Sequence, residues 1–98
     1  MLIVETKLFQ IQRDVVVEYV AKDKKNAAIR FVKELKKQVN NLTNFPYKCR
    51  VSYYHNDENT RDMIFKGCTI IYRVSQEQQR IEILEIFNKN MPVNNNEA

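Results

Sequence analysis

The 98-residue chain has no tryptophan, one glycine, one histidine and two cysteines. The single histidine, His55, and the absence of closely spaced cysteines leave no plausible zinc site, and we expect no metal and no other cofactor. No apolar run approaches the roughly 20 residues of a membrane span, and the opening Met-Leu-Ile-Val is far too short for a signal peptide. The sequence therefore predicts a cytoplasmic protein with no membrane partner, in which Cys49 and Cys68 are reduced core residues.

Charged residues are abundant, and the positive ones are in excess. Lys and Arg number 16 and Asp and Glu number 12, which gives a net charge of +4. The excess fits an acidic protein partner or nucleic acid, and it equally fits a role in keeping a small protein in solution. At this length a single core can suffice but leaves little margin, so that binding a partner would add usefully to stability.

The N-terminal half predicts a strand followed by a first helix. Leu2 to Val4 is a short apolar run, and Thr6 is a fair N-cap for a helix that continues to Lys22. Three consecutive valines lower the helix propensity of this segment, so the helix depends on packing against other elements. Apolar residues repeat along it at helical spacing, at Leu8, Ile11, Val15 and Tyr19.

A second helix has a stronger pattern. Asp23 predicts a break and an N-cap, and Pro46 follows the end of the helix. With only a residue or two between them, the helices should form an antiparallel hairpin. A run of lysines on such a helix is usually a solvated face, although it could contact the phosphates of RNA or DNA. The apolar stripe comprises Ala28, Phe31, Val32, Leu35, Val39 and Leu42, and the basic residues are Lys24, Lys25, Arg30, Lys33, Lys36 and Lys37.

The C-terminal half predicts four antiparallel strands. Gly67 lies in a turn after Lys66, where a positive φ is required, and the polar Gln76 to Gln79 form another turn. The sequence therefore predicts an α+β domain over residues 1–90, with an N-terminal strand and a helical hairpin packed on one face of the sheet. A polar tail over residues 91–98 should be disordered in the free protein. The strands are Tyr47 to Tyr54, Arg61 to Phe65, Cys68 to Ser75 and Arg80 to Phe87.

Strict alternation assigns the side chains of these strands to two faces. The face expected against the helices carries Met63, Phe65, Cys68, Ile70, Tyr72, Val74, Ile81, Ile83 and Phe87. The opposite face is mixed and carries Asp62, Ile64, Thr69, Ile71, Arg73, Glu82, Leu84 and Ile86. Two helices can cover only one face of a sheet, so Ile71, Leu84 and Ile86 are either isolated surface apolar residues or part of a partner's footprint.

Four phrases, in this order, resemble the RelE/ParE family, the toxins of bacterial type II toxin-antitoxin pairs. They are VEYVAKD from Val17, AAIRFVKEL from Ala27, NFPY from Asn44 and NTRDMIFKGCTIIYRV from Asn59. In the last phrase, Arg61 and Tyr72 match a recurring Arg and Tyr of the family. The resemblance implies a growth-inhibiting toxin that a small antitoxin neutralises and that reaches operator DNA only through this antitoxin. Ile71, Leu84 and Ile86 would then be the antitoxin-binding residues.

The family contains two mechanisms. RelE-like members cleave messenger RNA on the ribosome without a metal, whereas ParE-like members act on DNA gyrase and are not nucleases. The basic positions of the nucleases fall here on or near Thr60, Asp62, Thr69 and Asn90, so most of the cationic site is missing. We therefore favour gyrase inhibition by binding. The alternatives are an mRNA interferase and a toxin that has lost its activity but retains antitoxin binding.

Either mechanism needs residues that contact the target. We expect these to be Arg73, Lys66 and Lys89, followed by Arg50 and Tyr54. If the chain is a nuclease, its catalytic residues would be Arg73, Lys66, Lys89 and Tyr54.

The two recurring family residues receive structural roles. Arg61 shares a face with Met63 and Phe65, which predicts an internal ion pair with Glu18 or Glu34. Tyr72 should be a core aromatic residue with a bonded hydroxyl rather than a catalytic acid.

Overall fold

A computed structural model describes residues 1–88 and places two helices on a five-stranded sheet. The strand order is β1-β5-β4-β3-β2, with β1 parallel to β5 and every other neighbouring pair antiparallel. This architecture confirms the predicted α+β domain. Lys89, Asn90 and the predicted tail over residues 91–98 lie outside the described residues. The elements are β1 Leu2–Glu5, α1 Lys7–Asp23, α2 Lys25–Asn41, β2 Arg50–Val51, β3 Thr60–Phe65, β4 Cys68–Ser75 and β5 Arg80–Asn88.

The helix boundaries follow from the local sequence, with one exception. The side chain of Thr6 accepts a hydrogen bond of 3.0 Å from the backbone N–H of Phe9, so the predicted N-cap is confirmed. Asp23 is the last residue of α1, and the prediction that it caps α2 is wrong. The chain reverses in the single residue Lys24, whose extended backbone precedes α2 without a side-chain cap. Within residues 1–88, neither helix is long and apolar enough to cross a membrane.

The core lies between the sheet and the helical hairpin. The turn between β3 and β4 consists of Lys66 and Gly67, both with positive φ, as a two-residue hairpin requires. Cys49 is half-buried and Cys68 is buried, and both are free thiols. The helices bury Phe9, Val16, Ala28, Phe31, Leu35 and Val39 against the inner face of the sheet.

A β-bulge interrupts the pairing of β5 with β4. Tyr72 pairs with Ile83, but the preceding residue Ile71 pairs with Glu85, so Leu84 is an extra residue on β5. The start of α1 supports this irregularity, because the hydroxyl of Thr6 donates a hydrogen bond of 2.9 Å to the carbonyl of Leu84. The bulge therefore reverses the alternation of side chains in the last part of the strand.

Two predicted side-chain directions are wrong because of this bulge. Ile86, expected on the outer face, is 1% exposed and belongs to the core. Phe87, expected in the core, lies on the outer face opposite Thr69. The side chain of Gln12 on α1 accepts a hydrogen bond of 2.9 Å from the N–H of Ile86, at the edge of β5 beyond the end of β1.

Candidate functional site

Arg61 fixes the loop between α2 and β2 against the sheet. Its guanidinium donates hydrogen bonds to the backbone carbonyls of Tyr47, Cys49 and Glu58 at 3.2, 3.0 and 2.9 Å. It also lies over the ring of Tyr47, 4.9 Å from the centroid. The side chain thus joins two segments of irregular backbone to β3, which is a structural role.

The prediction that Arg61 pairs with Glu18 or Glu34 is wrong, because its Nε and Nη1 groups donate to backbone carbonyls and it forms no ion pair among the described residues. Glu34 instead forms an ion pair with Lys66, from α2 to the turn between β3 and β4. The hydrogen bond and the charge of Lys66 lower the pKa of Glu34. Both side chains are about half exposed, so solvent screens this pair strongly.

Tyr72 is a buried aromatic residue with a bonded hydroxyl, as the sequence predicted. Its hydroxyl donates a hydrogen bond of 2.7 Å to the carbonyl of Pro46, and its side chain is inaccessible to solvent. Burial raises the pKa of this phenol far above its usual value. Tyr72 therefore stays protonated, and it holds the same loop as Arg61.

Residues 52–56, which we call the crossing segment, lie over the outer face of the sheet. The N–H of Tyr53 donates a hydrogen bond of 3.0 Å to the carboxylate of Asp62 on β3. The next ring, Tyr54, meets Phe87 on β5 edge-on, with 5.2 Å between the centroids. Because β4 lies between these two strands, the segment crosses β4, and Ile71 on its outer face is only 1% exposed.

The predicted strand from Tyr47 to Tyr54 shrinks to Arg50–Val51 for the same reason. The N–H of Ser52 still donates a hydrogen bond to the carbonyl of Thr60 on β3. The N–H of the next residue, Tyr53, donates to the side-chain carboxylate of Asp62 instead of to a backbone carbonyl of β3. The chain then turns onto the sheet instead of continuing along its edge.

The three residues predicted to bind the antitoxin do not form an exposed patch. Ile86 faces the helices, Ile71 lies beneath the crossing segment, and Leu84 is half-buried in the bulge. The sequence pattern missed this because neither the bulge nor the crossing segment changes the alternation of residue types. The chain itself covers Ile71 on the outer face, whereas Ile64 on β3 is 58% exposed.

Arg50 is engaged with its neighbours. Its guanidinium lies 3.4 Å from the carboxylate of Asp62 and 3.8 Å from the centroid of the Tyr53 ring. Asp62 is fully buried, so this pair is shielded from solvent on one side. Tyr53 itself is 75% exposed. The stacked pair therefore presents an aromatic ring and a guanidinium edge to solvent.

Arg73 lies at the far end of the outer face, beside Glu82. Both Arg73 and Arg80 contact the Glu82 carboxylate, at 3.3 and 2.6 Å. Burial opposes the ionisation of Glu82, but the hydrogen bonds and charges of the two arginines outweigh it, so the pKa of Glu82 lies below its usual value. An open hollow of about 570 Å³ adjoins this cluster.

The residues predicted to contact the target do not converge. Lys66 precedes β4 and Arg73 lies near its end, so at about 3.3 Å per residue they are on the order of 20 Å apart. Lys66 is bound to Glu34, and Tyr54 packs on Phe87. The predicted residue Lys89 lies outside the described residues. Among residues 1–88, no three His, Cys, Asp or Glu residues are close enough to hold a metal ion.

A row of exposed apolar residues lies on α1. The residues that repeat at helical spacing do not face the sheet, because α1 packs through Phe9 and Val16 instead. We call this exposed row the outer stripe of α1. When a helix has apolar residues on two sides, both sides are normally covered by other protein surfaces. Sequence inspection could have found it, since α1 holds more apolar residues than one buried face needs. Its members Leu8, Ile11, Val15 and Tyr19 are 50, 53, 48 and 45% exposed.

A sequence model of the family described as "ParE toxin of type II toxin-antitoxin system, parDE" matches residues 3–92. The chain belongs to the ParE toxin family. Comparison with curated protein sequences gives no match. Among solved structures, the chromosomal ParDE toxin-antitoxin system from P. aeruginosa is similar, with a TM-score of 0.70 and 19% identity over 90% of this chain and 95% of that chain. At this identity the similarity establishes the fold.

Membership of the ParE family gives the surfaces a context. A toxin of a type II system has a cognate antitoxin as its partner. The outer stripe of α1 is an exposed apolar surface of the kind that a protein partner covers.

The Glu82 cluster of this ParE-family chain predicts a pH-dependent stability. The pKa of Glu82 in the folded protein is lowered from 4.5. The contribution of Glu82 to the free energy of unfolding is therefore complete above pH 4.5 and is lost as the pH falls through the folded pKa. Urea unfolding from neutral pH down to about pH 2.5 should therefore show wild type and Glu82→Gln converging at acidic pH. Glu77→Gln is the control, since Glu77 is exposed and forms no ion pair among residues 1–88. A difference between wild type and Glu82→Gln that stays constant with pH would contradict this assignment.

Proposed function

We propose that this toxin inhibits DNA gyrase by binding to it in the bacterial cytoplasm, and that it does not cleave RNA. One observation carries the proposal: the cationic and acid-base residues available for cleavage are dispersed over the described structure and engaged with other side chains. Lys66 is paired with Glu34, Arg50 with Asp62 and Arg73 with Glu82. Such residues can contribute to a contact surface without converging on one phosphate.

RNA cleavage through the 2′-hydroxyl makes geometric demands that these residues do not meet. It needs a base for the hydroxyl proton, a cation for the phosphate and an acid for the leaving oxygen, all within reach of one reacting group. Tyr54 packs against Phe87 on the outer face, while Lys66 lies at the opposite end of β4 from Arg73. His55 lies 3.9 Å from the carboxylate of Glu85. Binding is therefore the better-supported mechanism.

The surface that we propose for the target centres on the crossing segment. Arg50 and Tyr53 form an exposed stacked pair, and Tyr54 follows directly. Arginine and tyrosine are enriched among the residues that dominate protein-protein binding energies. Arg73 adds an exposed cation on the same face of the sheet. Lys66, in the turn before β4 at the other end of this strand, remains a proposed contact. Lys89, outside the described residues, also remains one.

The test of gyrase inhibition uses purified gyrase and cells that express the toxin. We expect loss of DNA supercoiling with intact messenger RNA, and we expect Tyr53→Ala to weaken inhibition by about 10-fold or more, as removal of a central contact does. Lys48→Ala is the control, because Lys48 is exposed and lies outside the crossing segment. Messages cut within codons, with cutting abolished by Arg73→Ala, would contradict the proposal and establish the nuclease.

We further propose that the antitoxin binds the outer stripe of α1. The stripe runs from Leu8 to Tyr19, which is about 17 Å along the helix axis and matches three turns of a partner helix. Its apolar residues follow the i, i+3, i+7 and i+11 spacing that an apolar helix or groove recognises. The residues predicted from the sequence, Ile71, Leu84 and Ile86, are not part of this surface, because the fold buries Ile71 and Ile86.

Introducing a charged residue in the middle of the outer stripe should weaken antitoxin binding without unfolding the toxin. Val15→Asp should weaken antitoxin binding by about 30-fold or more, because an unpaired charge would be buried at the interface. The free energy of unfolding of the free toxin should change little, since Val15 is half exposed. Gln10→Asp introduces the same charge at an exposed position of the same helix and should leave binding nearly unchanged. Titration calorimetry with the antitoxin measures both variants, and equal losses would contradict the assignment.

A further inference from the structure

The positive charge of the protein is concentrated on one helix. The segment from Lys24 to Leu42 carries six cationic side chains and one carboxylate, Glu34, a balance of +5. The whole chain carries +4, so everything outside this segment has a balance of −1. The net charge of the protein is therefore a property of α2, and a polyanion would be attracted to this side of the domain.

One side of α2 contains only residues that donate hydrogen bonds to phosphate. We call it the basic strip of α2; its members are Asn26, Arg30, Lys33, Lys37 and Asn41, and all five are exposed. Their spacing of four, three, four and four residues places them on one face of the helix. The strip covers about 22 Å of helix axis. It points away from the sheet, because Ala28, Phe31, Leu35 and Val39 on the opposite side are buried.

The cations of the strip form no ion pair among the described residues, although Arg30 and Lys37 act electrostatically on Glu34 of the same helix. Within residues 1–88, no cation of α2 forms an ion pair, and the one carboxylate of the helix is bound by Lys66 from the sheet. By contrast, Arg13, Arg50, Arg73 and Arg80 all contact carboxylates. Lys33 lies three or four residues from Arg30 and Lys37, so these like charges repel one another along the helix. A bound polyanion would relieve this repulsion.

We propose that the basic strip of α2 binds the phosphate backbone of duplex DNA, so that the toxin itself contributes DNA contacts independent of base sequence. Lysine and asparagine on a convex helix reach phosphates but offer little geometry for reading bases, so affinity should not depend on DNA sequence. The inference does not depend on the proposed inhibition of gyrase.

Duplex DNA fits the strip better than the two other polyanions. A helix that lies along the major groove of B-form DNA brings its cations to the phosphates that flank the groove, whereas the major groove of A-form RNA is too deep and narrow for side chains to enter. An acidic amphipathic peptide would require apolar residues among the cations. The strip itself contains none: Ile29, one turn before Lys33, borders it, and Val32 lies further round the helix towards Lys25 and Lys36.

Fluorescence anisotropy of the purified full chain with a labelled DNA duplex of about 20 base pairs tests the proposal. Three phosphate contacts predict an affinity that falls by about 40-fold between about 50 and 200 mM salt. The triple variant Arg30→Gln, Lys33→Gln, Lys37→Gln should lose binding by about 10-fold or more at low salt and should show a shallower salt dependence. Two duplexes of unrelated sequence should bind equally.

The matched control is the triple variant Lys7→Gln, Lys22→Gln, Lys48→Gln. It has the same net charge as the strip variant, and its three sites are exposed and lie outside α2, so it should retain most of the affinity. Equal losses in the two triple variants, or no binding of DNA at low salt, would overturn the proposal. An RNA duplex that binds more tightly than the DNA duplex would also overturn it. The same holds for an oligoglutamate peptide that binds as tightly as DNA and whose binding depends on Arg30, Lys33 and Lys37.

Discussion

The constraint on which the structure depends is that two helices can cover only one face of a five-stranded sheet. The chain meets it by turning residues 52–56 back over the outer face, where they cross β4. The anchor is the buried carboxylate of Asp62, which accepts from the backbone of Tyr53 and lies beside Arg50. Three features follow from this arrangement, because each depends on where the chain leaves the edge of the sheet. They are the short β2, the burial of Ile71 and the position of the Arg50–Tyr53 pair.

The helical side leaves a different surface uncovered. α1 packs through Phe9 and Val16 and is tied to β5 by the side chains of Thr6 and Gln12. These contacts fix the rotation of the helix, so the apolar stripe between Leu8 and Tyr19 must face outward. α2 in turn faces outward with cations. The domain thus presents an apolar helix, a basic helix and an aromatic outer face to solvent.

Much of the fold could be predicted from the sequence, because local signals specify it. The cap at Thr6, the turn at Gly67 and the bonded hydroxyl of Tyr72 each depend on one residue type in one setting. The errors in side-chain direction share another cause, namely that only the packed structure decides which face of the sheet a residue occupies. The extra residue Leu84 reverses the side-chain directions in the last part of β5, and the alternation of residue types does not reveal it. Most of the candidate site was beyond prediction for the same reason, since the sequence does not show what lies over Ile71.

The central claim is that the antitoxin covers the outer stripe of α1 while the crossing segment stays on the sheet. Hydroxyl-radical footprinting of the free toxin and of its complex with the antitoxin, read by mass spectrometry, tests it most directly. Tyr19 and Tyr53 are both exposed in the free chain, so each can report on its own surface. The account predicts that labelling of Leu8 and Tyr19 falls sharply in the complex while labelling of Tyr53 is unchanged. Protection of Tyr53 with Tyr19 labelled as in the free protein would contradict it.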